Sequence, residues 1–287
     1  MTDQPTLDGM PTRLYRATPT RLTTWLDCPR RYRYAYLDRP RPPKGQPWAH
    51  NSLGAAVHLA LAAWFRLPVE ERTVRAAGRL VEENWNTDGF RDADQSATWA
   101  ARAADMVRRY VSRLDPSTEP RGLERTVALK HGGTALHGRI DRLDERPVDD
   151  SDNTADTELV VVDYKTGRHL LTTDDARSSL ALALYAAAAE RTLRRPCRRV
   201  ELHHLPSGEV VTWEHSEASL RRHLDRADDI ASECAAADAR WQGGRRDDAD
   251  FPARPGPLCG WCDFVGVCPE GSATTRPRPS WSGLDAT

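Results

Sequence analysis

Lysine is nearly missing from this 287-residue sequence: Lys44, Lys130 and Lys165 stand against 41 lysines and arginines together. The arginine excess is an ordinary mark of GC-rich coding, but it makes each lysine hard to dismiss as background. Apolar residues are also scarce, at 39%, against 29% charged. That leaves enough for one solid core with wet, charged edges, in one large domain or two small ones. No run approaches the ~18 apolar residues that a membrane span needs, and Met1 to Ala17 holds no signal-peptide apolar segment. The expectation is a soluble, cytoplasmic protein with no membrane partner. A net charge of −1 excludes a polycation that coats acidic polymers indiscriminately, although a local basic patch remains compatible with it. No internal repeat occurs, and no G-x-x-x-x-G-K-[ST] phosphate loop, which excludes an NTP-driven motor of that type.

Read along its length, the chain starts with residues 1–17, which look loosely ordered. Thr18-Pro19 opens a helix by N-cap and first-turn rules, and Pro29 breaks or kinks it. Ser52 is read as the cap of a second helix carrying Leu53, Val57, Leu61 and Trp64 at helical spacing, with His58 on it. Helices over about 70–86 and 95–114 complete a helical N-terminal part. Strands follow at Leu123 to Lys130, Thr134 to Leu143 and Glu158 to Lys165, the first two joined at Gly132-Gly133. The acidic stretch 149–156 reads as a surface loop. A helix over 176–193, a hairpin around Pro206-Ser207-Gly208 and a helix over 216–240 lead to a C-terminal cysteine knot. The fold class is α/β: three antiparallel strands, a crossover helix, further strands, and helical decoration at both ends.

The sharpest chemical signal is Leu159-Val160-Val161-Val162-Asp163-Tyr164-Lys165-Thr166-Gly167. Four consecutive apolar residues indicate a strand buried on both faces. Residues two apart on a strand point the same way, so Asp163 and Lys165 share a side, roughly 7 Å apart at Cα. Tyr164 points away but leaves its backbone carbonyl as a neutral oxygen ligand. One strand earlier lies Asp141, which meets Asp163 across the sheet if the strands are neighbours. Two carboxylates, a carbonyl and waters suit Mg2+ or Mn2+. Such a cation polarises a phosphoryl oxygen and acidifies water, and an ammonium group neutralises charge developing at phosphorus. The bland alternative is a salt bridge at a strand end.

Gly-Arg-Ile-Asp-Arg at 138–142 followed by Val-Val-Asp-Tyr-Lys-Thr-Gly at 161–167 resembles the RecB/AddB-like nucleases of the PD-(D/E)XK superfamily. The resemblance covers roughly residues 18–270. It implies a restriction-endonuclease-like core, a mixed central sheet flanked by helices, in a single nuclease domain over 18–270, with a disordered tail at 271–287. It implies a metal-dependent deoxyribonuclease, an exonuclease on single-stranded DNA ends, with any unwinding left to a separate helicase partner. Asp141 and Asp163 are then metal ligands with the Tyr164 carbonyl, and Lys165 is catalytic. Gly54-Ala55-Ala56-Val57-His58 matches the family's Gly-x-x-x-His pattern, which adds His58 to the metal site. The family's Gln-x-x-x-Tyr is matched only at Tyr185, because Ala181 occupies the glutamine position. That departure supports the alternative reading, a non-catalytic DNA-binding subunit of a helicase–nuclease complex.

A cytosolic chain of this size needs no disulfides, so a tight cysteine cluster points to metal. Cys259-Gly260-Trp261-Cys262 with Cys268-Pro269 gives C-x2-C-x5-C, and Cys28 stands far upstream. The set resembles iron–sulfur nucleases, CRISPR-associated exonucleases among them, in which one N-terminal cysteine and a C-terminal triplet hold a 4Fe–4S cluster. Zinc is the competing reading, weakened because only one close pair exists. Such a staple closes nearly the whole chain, an entropic constraint on the order of 5 kcal/mol. Cys197 and Cys234 read as ordinary buried thiols. Directly after Cys28, Arg30, Arg31 and Arg33 alternate with Tyr32 and Tyr34, as in channels where cations follow phosphates and rings stack on bases. The alternative is an amphipathic helix with its tyrosines packed inward.

Overall fold

The computed structural model describes residues 14–148, 157–244 and 247–284. Its centre is a mixed six-stranded sheet in the order β1-β3-β4-β5-β6, with β2 on the other edge of β3. The strands are β1 (Tyr15–Ala17), β2 (Gly122–His131), β3 (Thr134–Pro147), β4 (Thr157–Lys165), β5 (Arg199–His204) and β6 (Glu209–Glu214). The strands β2, β3 and β4 run antiparallel, and β5 returns parallel to β4. This is the α/β core expected for a restriction-endonuclease-like protein.

The β2–β3 hairpin turns at Gly132, whose φ of 53° favours glycine; a Cβ there would also lie 2.0 Å from the Asp228 carboxylate. Residues Leu159 to Val162 of β4 are each 0% exposed because both sheet faces are covered. On one face Leu159 and Val161 meet the helices α1 (Pro19–Asp27), α7 (Leu180–Leu193) and α8 (Glu217–Gln242). On the other, Val160, Val162 and Tyr164 meet α3 (Ala49–Arg66), α4 (Val74–Glu83) and α5 (Ala93–Val111). Cys197 and Cys234 lie in the first of these cores.

Several expectations need correction. Residues 15–17 are not loose: they form β1, parallel to the start of β3. The helix bearing His58 starts at Ala49 with Trp48 at its N-cap, while the Ser52 hydroxyl donates to the Asp88 carbonyl, so Ser52 is no cap. The helix expected over 176–193 is two, α6 (Thr173–Ser178) and α7, divided at Ser179, whose hydroxyl caps the Leu182 amide. The tail beyond 270 packs: α9 (Pro269–Thr274) continues it, the Ser280 carbonyl accepts from Ala49, and Leu284 is buried in the second core. The acidic loop at 149–156 lies outside the described residues, as do 1–13 and 285–287.

Candidate active site

Strand β3 has fourteen residues and two partners on one edge: β1 along Thr134–Leu136 and β4 from Arg142 onward. The ladder to β4 stops at Arg142↔Val162, one step before Asp141 and Asp163 would pair. From there β4 splays, and the Tyr164 amide donates to Asp141 Oδ2 at 3.0 Å instead of to a backbone carbonyl. The cleft is therefore made by a sheet that opens where its carboxylates begin. The β2–β3 register, Leu123↔Arg142 and Arg125↔Ile140, places Glu124 opposite Asp141. Glu124, Asp141 and Asp163 thus occupy one row across three strands.

From the second face α3 brings His58, one turn beyond Gly54. Its Nε2 lies 3.1 Å from the Tyr164 carbonyl oxygen and its Nδ1 3.3 Å from Asp141 Oδ1. Ligand atoms of His58, Glu124 and Asp141 all lie within 4.8 Å of one another, a spacing that one cation can bridge. Asp163 instead meets Lys165, Oδ2 to Nζ 2.7 Å. The structure therefore brings together His58, Asp141 and the Tyr164 carbonyl as read from sequence, and adds Glu124, which that reading missed. Glu124 also carries strain: its φ of 48° is unfavourable for a side chain with a Cβ. Arg139 holds its carboxylate at 2.9 Å.

The electrostatics are those of a site short of positive charge. Burial pushes the Asp163 carboxyl up, Lys165 works against this, and the neighbouring Asp141 charge adds to it. Burial disfavours protonated His58, yet the hydrogen bond and charge of Asp141 outweigh it and raise its pKa. The Tyr185 phenol is pushed up to about 12 by burial, then by Asp163 and Asp141, so it keeps its proton. It packs over Gly138, where a Cβ would lie 2.3 Å from the ring.

A second cluster gathers at a cavity of about 340 Å3 lined by Cys28, Cys259, Cys262 and Cys268, with Arg31 at its wall. The triplet and the distant Cys28 are thus brought together, and all four thiols are free of disulfides. Among the described residues no three of these sulfurs come within 4.8 Å of one another.

The basic-aromatic stretch is not an open channel. It forms α2 (Pro29–Tyr36), and Arg30, Arg33 and Tyr34 are 6–7% exposed. The Arg30 Nε donates to the Phe251 carbonyl and its guanidinium pairs with Asp248 and Glu270. Arg33 pairs with Asp248 and Asp38, and Tyr34 packs on Phe264. Buried and engaged by these neighbours, these three face the fold and do not line an open strand-binding surface. Arg31 alone stays half-exposed, 3.7 Å from Asp27.

The model of the PD-(D/E)XK nuclease superfamily matches residues 16–269. The chain belongs to the PD-(D/E)XK nuclease superfamily. Phosphodiester hydrolysis is the chemistry of that superfamily, and its members typically use Mg2+ or Mn2+. Among solved structures, a protein from Eubacterium rectale described as a "Putative exonuclease" is similar at 9% identity, covering 92% of this chain and 90% of that one with a TM-score of 0.49. The protein SSO0001 is similar at 13% identity, covering 91% of this chain and 88% of that one with a TM-score of 0.35. Among curated proteins there is no match. Ala181 sits in the first turn of α7, one turn before Tyr185. No helix among the described residues is long and apolar enough to cross a membrane.

Proposed function

We propose that the protein is a metal-dependent deoxyribonuclease, acting as an exonuclease on single-stranded DNA ends. The observation that carries the reading is the cleft where β3 and β4 part. It sets His58, Glu124 and Asp141 at cation-bridging distance beside the Asp163–Lys165 pair. The donor set fits Mg2+ or Mn2+: two carboxylates and the Tyr164 carbonyl are hard oxygens, and Asp163 is a third carboxylate in the same row. His58 either joins as a ligand or holds Asp141 and Tyr164 in place. A cation there supplies Lewis acidity toward the phosphoryl oxygen and lowers the pKa of attacking water.

The chain's own groups divide the remaining work. The Lys165 ammonium, fixed by Asp163, is aimed along the strand end where negative charge grows on the phosphoryl oxygens. Tyr185, held neutral, offers an O–H donor to substrate phosphate or to that charge. Burial, with the Asp141 charge added to it, raises the Asp163 carboxyl against the pull of Lys165, and a cation bound beside it would favour its charged form. DNA, entering as a single strand, is the substrate that the resemblance to cluster-bearing relatives implies.

We assign the cysteine cavity to a 4Fe–4S cluster held by Cys28, Cys259, Cys262 and Cys268. What supports it is that the C-terminal triplet and the distant Cys28 line one cavity. Its contribution is structural, tying α2 to the C-terminal segment. The alternative, a DNA-binding subunit without catalysis, draws on Ala181. Cleavage of end-labelled single-stranded and duplex DNA with Mg2+ or Mn2+, beside Lys165→Ala and Asp163→Asn, tests the reading. Metal-dependent cleavage lost in both variants supports it. Wild-type protein that binds DNA but never cuts it would replace it with the subunit reading.

A further inference from the structure

Strand β6 is the sheet edge remote from β1, and a second basic cavity lies against it. It is an open depression of about 560 Å3 between α6, β6 and the first turns of α8, lined by Arg177, Trp213, Glu214, Arg222, His223 and Arg226. Three guanidiniums thus face one carboxylate. Arg177 is paired with Asp174 at 2.9 Å. Arg222 and Arg226 are exposed, and among the described residues neither has a carboxylate within 4.0 Å. They stand one turn apart on α8, where like charges repel. An uncompensated pair of this kind gains from an anion.

The aromatic side of the cavity is also incomplete. The Trp213 indole N–H is buried without a partner, and the Arg177 guanidinium lies 5.9 Å from the ring centre. His215, 1% exposed, has an unpartnered Nε2 and packs edge-on against Trp213 and His223. His223 lines the same depression, beside His215 and between the two exposed arginines of α8.

Register relates this cavity to the active site. Trp213 is opposite Val200, and Val200 is opposite Val161, two residues before Asp163. Trp213 and Asp163 therefore share a sheet face. Two strand spacings of ~4.8 Å and two residues of ~3.4 Å put their Cα atoms roughly 12 Å apart, a span of a few stacked nucleotides.

We propose that this cavity is a phosphodiester-binding subsite for the nucleic-acid strand, with Arg177, Arg222 and Arg226 on phosphates and Trp213 against a base. It rests on the reading of a nucleic-acid substrate. Planar guanidiniums match phosphate oxygens two at a time, and a ring beside them accepts any base by stacking. Glu214 at the rim repels a phosphate placed too near it and narrows where the strand lies.

The test is fluorescence anisotropy of a labelled oligothymidine in EDTA, titrated against KCl, with wild type and Arg222→Gln/Arg226→Gln. Binding without divalent cation is independent of cleavage, so failure of the nuclease reading leaves this readout intact. Two lost single-strand contacts flatten the log–log salt slope by about 1.4 and weaken binding about 25-fold at 0.1 M salt, the gap vanishing near 1 M. Trp213→Leu should weaken binding of oligothymidine but not of an abasic strand with the same phosphates. Both arginines are exposed, so the double variant is expected to keep the wild-type melting temperature. Equal affinity and slope for wild type and the double variant would overturn the subsite. So would a variant that loses inorganic phosphate binding while holding the oligonucleotide as before, since the cavity would then serve a free anion.

Discussion

Arg142 is the residue whose replacement tests most directly how the core supports the active site. It is 3% exposed and sits behind β3–β4, where it donates to Tyr110 Oη at 3.0 Å and Tyr164 Oη at 3.1 Å and pairs with Asp144 at 2.9 Å. Tyr164 in turn offers its amide to Asp141 and its carbonyl to His58, so Arg142 anchors the segment that organises the cleft. In Arg142→Met, Asp144 keeps Arg146 at 2.7 Å and Tyr110 keeps His203 at 2.8 Å, but the Tyr164 hydroxyl loses this donor. Breaking a buried ion pair costs about 3–5 kcal/mol, and the surviving partners place this case near the lower end. Stranding a buried hydroxyl adds about 1 kcal/mol, giving a total of about 4 kcal/mol. With an unfolding entropy of ~2.1 cal/mol/K per residue, a chain of this length should melt about 7 °C lower. Calorimetry measures the shift, and titration with Mn2+ measures the loss of cation affinity that should accompany it. Arg142→Met/Asp144→Leu should recover part of the loss, because it removes a buried carboxylate left with Arg146 alone, and Arg146 still keeps Glu201. A melting temperature unchanged by Arg142→Met would refute the reasoning.

Other expectations follow from single contacts. Glu124→Gln should lower cation affinity at nearly unchanged stability, whereas Glu124→Gly should lower affinity yet raise the melting temperature by relieving the φ of 48°; equal stability of the two variants would contradict the strain. Burial works against the Glu201 carboxylate, but His203 and Arg146 hold its pKa down at about 2. A depressed carboxyl contributes stability that is present above its unfolded value near ~4.3 and is lost as pH falls toward 2, on the order of 3 kcal/mol. Wild type should therefore lose melting temperature between pH 5 and pH 3 more steeply than Glu201→Gln, and parallel curves would remove Glu201 from the account. Gly138→Ala places a Cβ 2.3 Å from the Tyr185 ring, so kcat should fall while Mn2+ affinity holds; unaltered turnover would mean that Tyr185 has no part in the reaction.

Much of the β2–β3–β4 unit was legible because its signals are local. The alternation in β2 and β3, the two glycines between them and the apolar run of β4 each follow from neighbours within a few residues. Glu124 was within reach too: counting outward from the Gly132-Gly133 turn, each pair sums to the same number, and Glu124 falls opposite Asp141. It was missed because a lone glutamate in a strand carries no motif. The reading of Arg30, Arg33 and Tyr34 failed for the opposite reason. Alternating cations and rings specify a pattern, but whether it faces solvent depends on Phe251, Asp248 and Glu270, more than two hundred residues away.

The sequence by itself determined the antiparallel core, the Asp163–Lys165 pair on one strand and Asp141 with the Tyr164 carbonyl as its neighbours, while the family resemblance added His58 and grouped Cys28 with the C-terminal cysteines. Hydrophobic periodicity and turn chemistry act over short range and leave their marks in order along the chain. Only the tertiary structure decided where β4 leaves β3, that Glu124 shares the row of carboxylates, that the tail packs back on α3, and that the arginines of α6 and α8 meet across β6. Those outcomes depend on register and on contacts between distant segments, which packing selects and no local pattern encodes.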